Sequence, residues 1–256
     1  MEHSDEEKNS ELCKLLLEVG SLLMGSGANS ARIRITIQRI ANAYGYDAEL
    51  LITHRALMLS VYNDEKDFFV SRLKRTLPHG ANFKMVSGIS RMSWQIVDEK
   101  WNLAQVRQEI VRLKTVAHYP RLVTLSMVAL AGASFCRLFG GGYMEVMVAF
   151  VATFIGLFVR QEAAKKAFNP YLCIYFAALT SSLIAGLPVK LNLGAHPDYA
   201  FATSVLYLIP GIPLINSMSD LLDGNIMNGM VRGINGLIIA FAIAMGLLSA
   251  ILTYNI

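Results

Sequence analysis

Leu12, Leu15, Leu16, Val19, Leu22 and Leu23 recur at helical spacing, and Gly25-Ser26-Gly27 then interrupts the pattern. A second helix is predicted after the glycines. Asn29 or Ser30 can cap it, Ile33, Ile37, Ile40 and Ala41 form its apolar face, and Arg32 and Arg39 lie on the basic face. Gly45 marks its end. Three strand-like runs follow, Glu49–Thr53, Leu57–Tyr62 and Phe68–Leu73, with Asn63-Asp64-Glu65-Lys66 placed as a hairpin turn between the last two. A capped helix from Asn102 to about Val116 closes this part. Residues 9–120 therefore read as α+β, with enough apolar positions to bury a core.

After Pro120 the periodicity disappears and the chain becomes apolar all round. Five stretches stand out, at about 122–139, 144–159, 170–187, 200–218 and 233–254. Crossing ~30 Å of hydrocarbon at ~1.5 Å per residue takes ~20 residues. The last three stretches lie in the charge-free runs Ala167–Val189, Tyr199–Ser219 and Gly233–Ile256, which are long enough. The first two are shorter, are separated by Gly140–Gly142, and read as a tight helical hairpin. The expected architecture is an α+β cytoplasmic N-terminal domain, residues 1–120, followed by an α-helical five-span membrane domain, residues 121–256.

Charge supports that division. Residues 1–120 carry 16 Lys/Arg and 14 Asp/Glu, whereas residues 121–256 carry 7 and 5. The chain as a whole is 54% hydrophobic and 16% charged, which excludes a wholly soluble protein. Arg112, Lys114 and Arg121 precede the first span, Arg160, Lys165 and Lys166 follow the second, and Arg232 precedes the fifth, against Lys190 between spans three and four. The positive-inside bias then puts the N-terminal domain in the cytoplasm and the C-terminus outside. The net charge of +4, without an aromatic-interleaved basic patch, gives no reason to expect nucleic acid as a partner. Cys13, Cys136 and Cys173 are widely spaced and suggest neither disulfides nor a zinc site.

Candidate chemistry concentrates in the fourth span, Tyr207-Leu208-Ile209-Pro210-Gly211-Ile212-Pro213-Leu214-Ile215-Asn216. Pro210 and Pro213 around Gly211 remove helix hydrogen bonds, and in lipid such a break survives only against protein or a water-filled cavity. A half-helix starting near Pro213 would aim free N–H groups and a positive dipole end at a small carboxylate; a simple proline kink would use the same residues. Asn216 and Asp220 share one helix face, and Asp223 follows three residues later. An intramembrane carboxylate is costly and suits proton exchange or gating, whereas a solvated helix end is the plainer alternative. Arg137 and Glu145 flank the outer hairpin, where they could pair, snorkel or gate. Thr180, Ser181 and Ser182 could bond helix carbonyls or line a path. In the N-terminal part, His54-Arg55 and the pair Asp64 and Asp67 are the only constellations that could suggest catalysis. No GxSxG, Walker loop or HExxH motif accompanies them, so no enzyme is expected.

The stretch PGIPLINSMSDLLDGNIMNGMVR, Pro210–Arg232, resembles the signature of the threonine/serine exporter family. Gly25–Val61, GSGANSARIRITIQRIANAYGYDAELLITHRALMLSV, resembles that family's cytoplasmic region. The resemblance implies a secondary exporter of the bacterial inner membrane without a redox or metal cofactor. Family members with about ten spans in one chain exist, so a five-span chain resembles the larger subunit of the family's split branch, which works with a separate small membrane subunit and is associated with succinate export. Pro210, Gly211, Pro213, Asn216 and Asp220 match the family pattern, whereas His54-Arg55 departs from it.

These observations lead to an inner-membrane export subunit for small carboxylates, either threonine/serine-type amino acids or succinate-type dicarboxylates, with proton-gradient coupling as the default. Pro210, Gly211, Pro213 and Asn216 are the expected binding residues, and Asp220, Asp223, Arg137 and Glu145 the expected coupling or gating residues. The expected partners are the bilayer, the carboxylate and the small subunit, with a homo-oligomer allowed. The rival readings are a membrane-anchored ligand sensor or scaffold, and a membrane-tethered hydrolase using His54.

Overall fold

The computed structural model describes residues 2–63, 68–76, 80–116 and 119–255, with the side chains of residues 2–9 and of Phe68 outside the description. Among the described residues the chain is mostly helical, with one small three-stranded sheet. It divides into two compact units, Met1–Ala117 with Ile212–Gly233, and His118–Gly211 with Ile234–Ile256.

In the first unit, α1 (Glu2–Gly25) and α2 (Ser30–Ala43) are separated by a glycine turn. Asn29 caps α2 by accepting a hydrogen bond from the Arg32 amide. The strands β1 (Asp47–Ile52), β2 (Ala56–Asn63) and β3 (Phe68–Arg75) form an antiparallel meander in the order β1-β2-β3, with Leu50 opposite Leu59 and Met58 opposite Leu73. The predicted turn at Asn63–Lys66 lies, beyond Asn63, outside the described residues, as do Asp64 and Asp67. Alternation along β2 buries Leu57, Leu59 and Val61. These pack with Leu16 and Leu23 of α1 and Ile33, Ile37 and Ile40 of α2 in one core.

The pattern did not predict α3 (Phe83–Glu99), although Asn82 caps it and Val86, Ile89, Met92 and Ile96 sit on its buried face. Next, α4 (Leu103–Thr115) begins with a full capping box between Asn102 and Gln105. Burial pushes the Tyr44 phenol up to about 12, and its hydroxyl donates to the Trp101 carbonyl at 2.8 Å.

The second unit contains the helices α5 (Arg121–Leu138), α6 (Tyr143–Lys165) and α7 (Pro170–Leu191), the short α8 (Pro197–Thr203), and most of α10 (Ile226–Tyr254). Small residues meet where helices touch: Ala129, Gly132 and Ala133 on α5, Ala149, Ala152 and Gly156 on α6, and Ala177, Ala178 and Ala185 on α7 are buried. Large apolar side chains such as Leu122, Met127, Met147 and Phe241 point outward instead. Among the described residues, four helices are long and apolar enough to cross a membrane: α5, α6, α7 and α10. A fifth span results if Pro197–Leu208 and Gly211–Leu222 count as one broken segment. α10 starts seven residues before the predicted fifth span, because Gly224 at φ +77 ends the preceding turn and Asn225 accepts from the Gly229 amide.

Candidate functional site

The fourth apolar stretch is broken. A 3-10 turn at Leu206–Leu208 stops at Ile209-Pro210, and α9 (Gly211–Leu222) begins directly afterwards, bent by 59° from the preceding helix. A half-helix starting near Pro213 was expected. It starts two residues earlier, which puts Pro213 in the first turn, where its missing N–H costs no helix bond. The Gly211 amide donates to the Ile209 carbonyl at 2.9 Å, while the Ile212 and Leu214 amides take no carbonyl upstream of the helix.

The polar residues beyond the break hold the turn between α1 and α2, all within the first unit. Asn216 Nδ2 donates to the Gly27 carbonyl at 2.7 Å, and Arg232 Nη2 to that of Ala28 at 3.0 Å. The Ser30 amide donates to Asp220 Oδ1 at 2.9 Å. Asp220 is fully buried, and its carboxylate lies at the N-terminus of α2, where the free amide and the helix dipole both favour an anion. Asp220 Oδ2 and Arg232 Nη1 are 3.3 Å apart, an ion-pair separation without an aligned hydrogen bond. Asn228 Nδ2 donates to the Ile52 carbonyl at 2.9 Å, and Ser217 Oγ to that of Gly229 at 2.6 Å. Gly27 permits this approach: its φ is +87, and a Cβ there would stand 3.0 Å from the Gly80 carbonyl oxygen.

Asp220 and Asn216 thus share one set of contacts, but Asp223 is exposed at the end of α9 and takes no part in it. Arg137 donates to the Gly141 carbonyl at 3.0 Å and lies 5.7 Å from the Tyr143 ring centre. Glu145 is 3% exposed in the first turn of α6 and accepts from the His196 amide at 3.0 Å. It packs so close to Gly194 that a Cβ there would come within 2.4 Å of its Oε1. Arg137 and Glu145 form no ion pair with each other among the described residues. Thr180 donates to the Phe176 carbonyl, a bond within its own helix.

His54 sits in the β1–β2 turn. Burial, with the charges of Arg55 and Arg232, holds its pKa below the usual 6.5, so the imidazole is neutral at pH 7. Among the described residues no three His, Cys, Asp or Glu side chains group as metal ligands. The sequence expectation left out Ser30, Asn228 and Arg232 as members of this arrangement. Asn228 and Arg232, four residues apart at the head of an apolar helix, were the available signal.

The model of the family described as "Putative threonine/serine exporter" matches residues 14–254. The chain belongs to the threonine/serine exporter family. It is a family of multi-pass membrane transporters, and this chain's apolar helices fit that class. A protein of Klebsiella aerogenes named "Probable succinate transporter subunit YjjP" is 26% identical over 99% of this chain and 98% of its own length. The Escherichia coli protein of the same name is also 26% identical, over 98% of this chain and 97% of its own length. The "Threonine/serine exporter" of Corynebacterium glutamicum is 22% identical over 95% of this chain, which spans 51% of that protein. No solved structure matches the chain.

Proposed function

We propose that the chain is the larger subunit of a bacterial inner-membrane secondary exporter for small carboxylates. Residues 1–120 form its cytoplasmic domain, residues 121–256 its membrane domain, and the C-terminus lies outside. The observation that carries this reading is the break at Ile209-Pro210 inside an apolar segment of a transporter-family chain. Pro210, Gly211 and Pro213 set up the N-terminus of α9 to receive a carboxylate, and Asn216 positions it. Asp220 exchanges protons or gates release as its bonds to Ser30 and Arg232 change. Asp223, Arg137 and Glu145 assist at the two ends of the path, and the proton gradient drives the cycle. The near full-length match to two proteins named as succinate transporter subunits favours a dicarboxylate cargo and a separate small membrane subunit. The match to a threonine/serine exporter of about twice the length keeps amino acids in view.

The test is efflux of labelled succinate and labelled threonine from preloaded cells, with and without a co-expressed small membrane subunit. Efflux of either cargo that needs both chains is the expected result. Equal retention of both cargoes with and without the two chains would refute the proposal.

A further inference from the structure

The three-stranded sheet of the first unit buries one face and leaves the other bare. In its register, Asp47, Tyr62 and Phe69 form one row, Glu49, Ser60 and Ser71 the next, and Leu51, Met58 and Leu73 a third. Arg75 lies beyond Leu73, opposite Ala56. These positions alternate with Leu57, Leu59 and Val61, which fill the core. An antiparallel sheet covered on one side ordinarily turns polar residues outward. Here Leu51 is 61% exposed, Met58 41%, Phe69 69% and Leu73 66%. Four large apolar side chains on one small face mark a contact surface.

The charges on the face decide what fits it. Asp47 and Glu49 are exposed on the β1 edge at the end where β1 begins, and Arg75 is exposed on the β3 edge at the opposite end. Acid and base occupy opposite corners, so the pattern is complementary to itself. A twofold axis in the plane of contact, at about 45° to the strands, crosses two such sheets at about 90°, one of the two usual arrangements of packed sheets. That axis brings Leu51 close to Leu51 of the second copy and sets Glu49 of each copy opposite Arg75 of the other. An anionic bilayer surface matches the face poorly, because Asp47 and Glu49 would meet its headgroups.

We infer that the outer face of the β1-β2-β3 sheet is the contact through which two copies of this chain pair. Three strands at ~4.8 Å spacing and eight residues at ~3.4 Å make a face of roughly 400 Å² per copy. A stable interface in dilute solution buries ~800 Å² per partner. The contact therefore forms between copies already confined to one membrane, where the effective concentration is raised. The inference goes beyond the exporter reading, takes from it only the membrane, and is independent of the cargo.

The test uses the full-length chain in cell membranes, with Leu51→Cys as the reporter and Ile35→Cys, 54% exposed on α2, as the control. Cys13, Cys136 and Cys173 are buried and stay in place. Mild oxidation is followed by electrophoresis without reductant. Leu51→Cys should give a disulfide-linked dimer and Ile35→Cys should not. Glu49→Arg or Arg75→Glu added to Leu51→Cys should each lower the dimer yield roughly tenfold, since twofold symmetry makes each substitution act at two pairs. The two charge changes together should restore it.

Equal yields from Leu51→Cys and Ile35→Cys would overturn the inference, as would a doubly charge-reversed protein that dimerises no better than the single ones. So would a Leu51→Cys protein that stays monomeric, whether lipid shields it from a thiol reagent or it links to a co-expressed small membrane subunit instead. Transport does not enter the readout, so failure of the cross-link and failure of the efflux test are separate results.

Discussion

Replacing Asp220 by Asn tests the buried pair on which the arrangement beyond the break depends. Asn at 220 keeps an oxygen for the Ser30 amide, now 2.9 Å from Oδ1, and removes the charge facing Arg232 at 3.3 Å. Asp220 is fully buried and the Arg232 side chain is 12% exposed, so the remaining guanidinium is left largely desolvated without its anion. Breaking a buried pair from one side costs ~3–5 kcal/mol. Arg232 keeps its bond to the Ala28 carbonyl, which places the expectation at the lower end, about 3 kcal/mol. For a chain of this size that is a fall in Tm of roughly 6–12 °C. Thermal unfolding of the purified chain, followed by intrinsic fluorescence, reads it. Arg232→Met in the Asp220→Asn background should recover most of the loss, because it removes the stranded charge. An Asp220→Asn protein with wild-type Tm, or a double variant less stable than either single one, would refute this account of the pair.

Gly27→Ala should lower Tm by several degrees, because a side chain at φ +87 is strained and its Cβ would press on the Gly80 carbonyl; a thermal melt checks it. Gly246→Ala should reduce Tm and the yield of folded protein, since a Cβ there would lie 2.6 Å from the Ala178 Cβ and 2.8 Å from the Leu179 backbone nitrogen, which cannot swing away. His54 should make stability fall with acidification. Its folded-state pKa is below 6.5, so the unfolded chain takes up the proton first, and stability declines from about pH 6.5 downward and levels off below the depressed value. Tm measured against pH should show this decline in the wild type and a flatter profile in His54→Gln.

The N-terminal elements were legible because their signals are local. The leucine period of α1, the glycine interruption and the Asn29 cap appear in the sequence as they do in the fold. α3 carried comparable signals, the Asn82 cap and the Val86–Ile96 stripe, and yet stayed unassigned. Proline chemistry marked Pro210 as a break or a kink without deciding between them, and the helix start lies two residues before the one expected. The partners of the polar residues after it were not readable. Asp220 meets an amide 190 residues away and Asn216 a carbonyl 189 residues away, and no periodicity reports contacts at that separation. Nor did the sequence indicate that Ile212–Gly233 groups with the N-terminal unit, since the apolar run continues through Pro210 without a change in composition.

The broken fourth segment as the place where cargo is handled is tested most directly by mending it. Pro210→Ala combined with Pro213→Ala restores the amide donors that the segment lacks, and efflux of the transported carboxylate is compared with wild type at equal membrane abundance. The account predicts at least a tenfold loss of initial efflux rate when the proposed small membrane subunit is co-expressed. Wild-type efflux from the mended chain would contradict it.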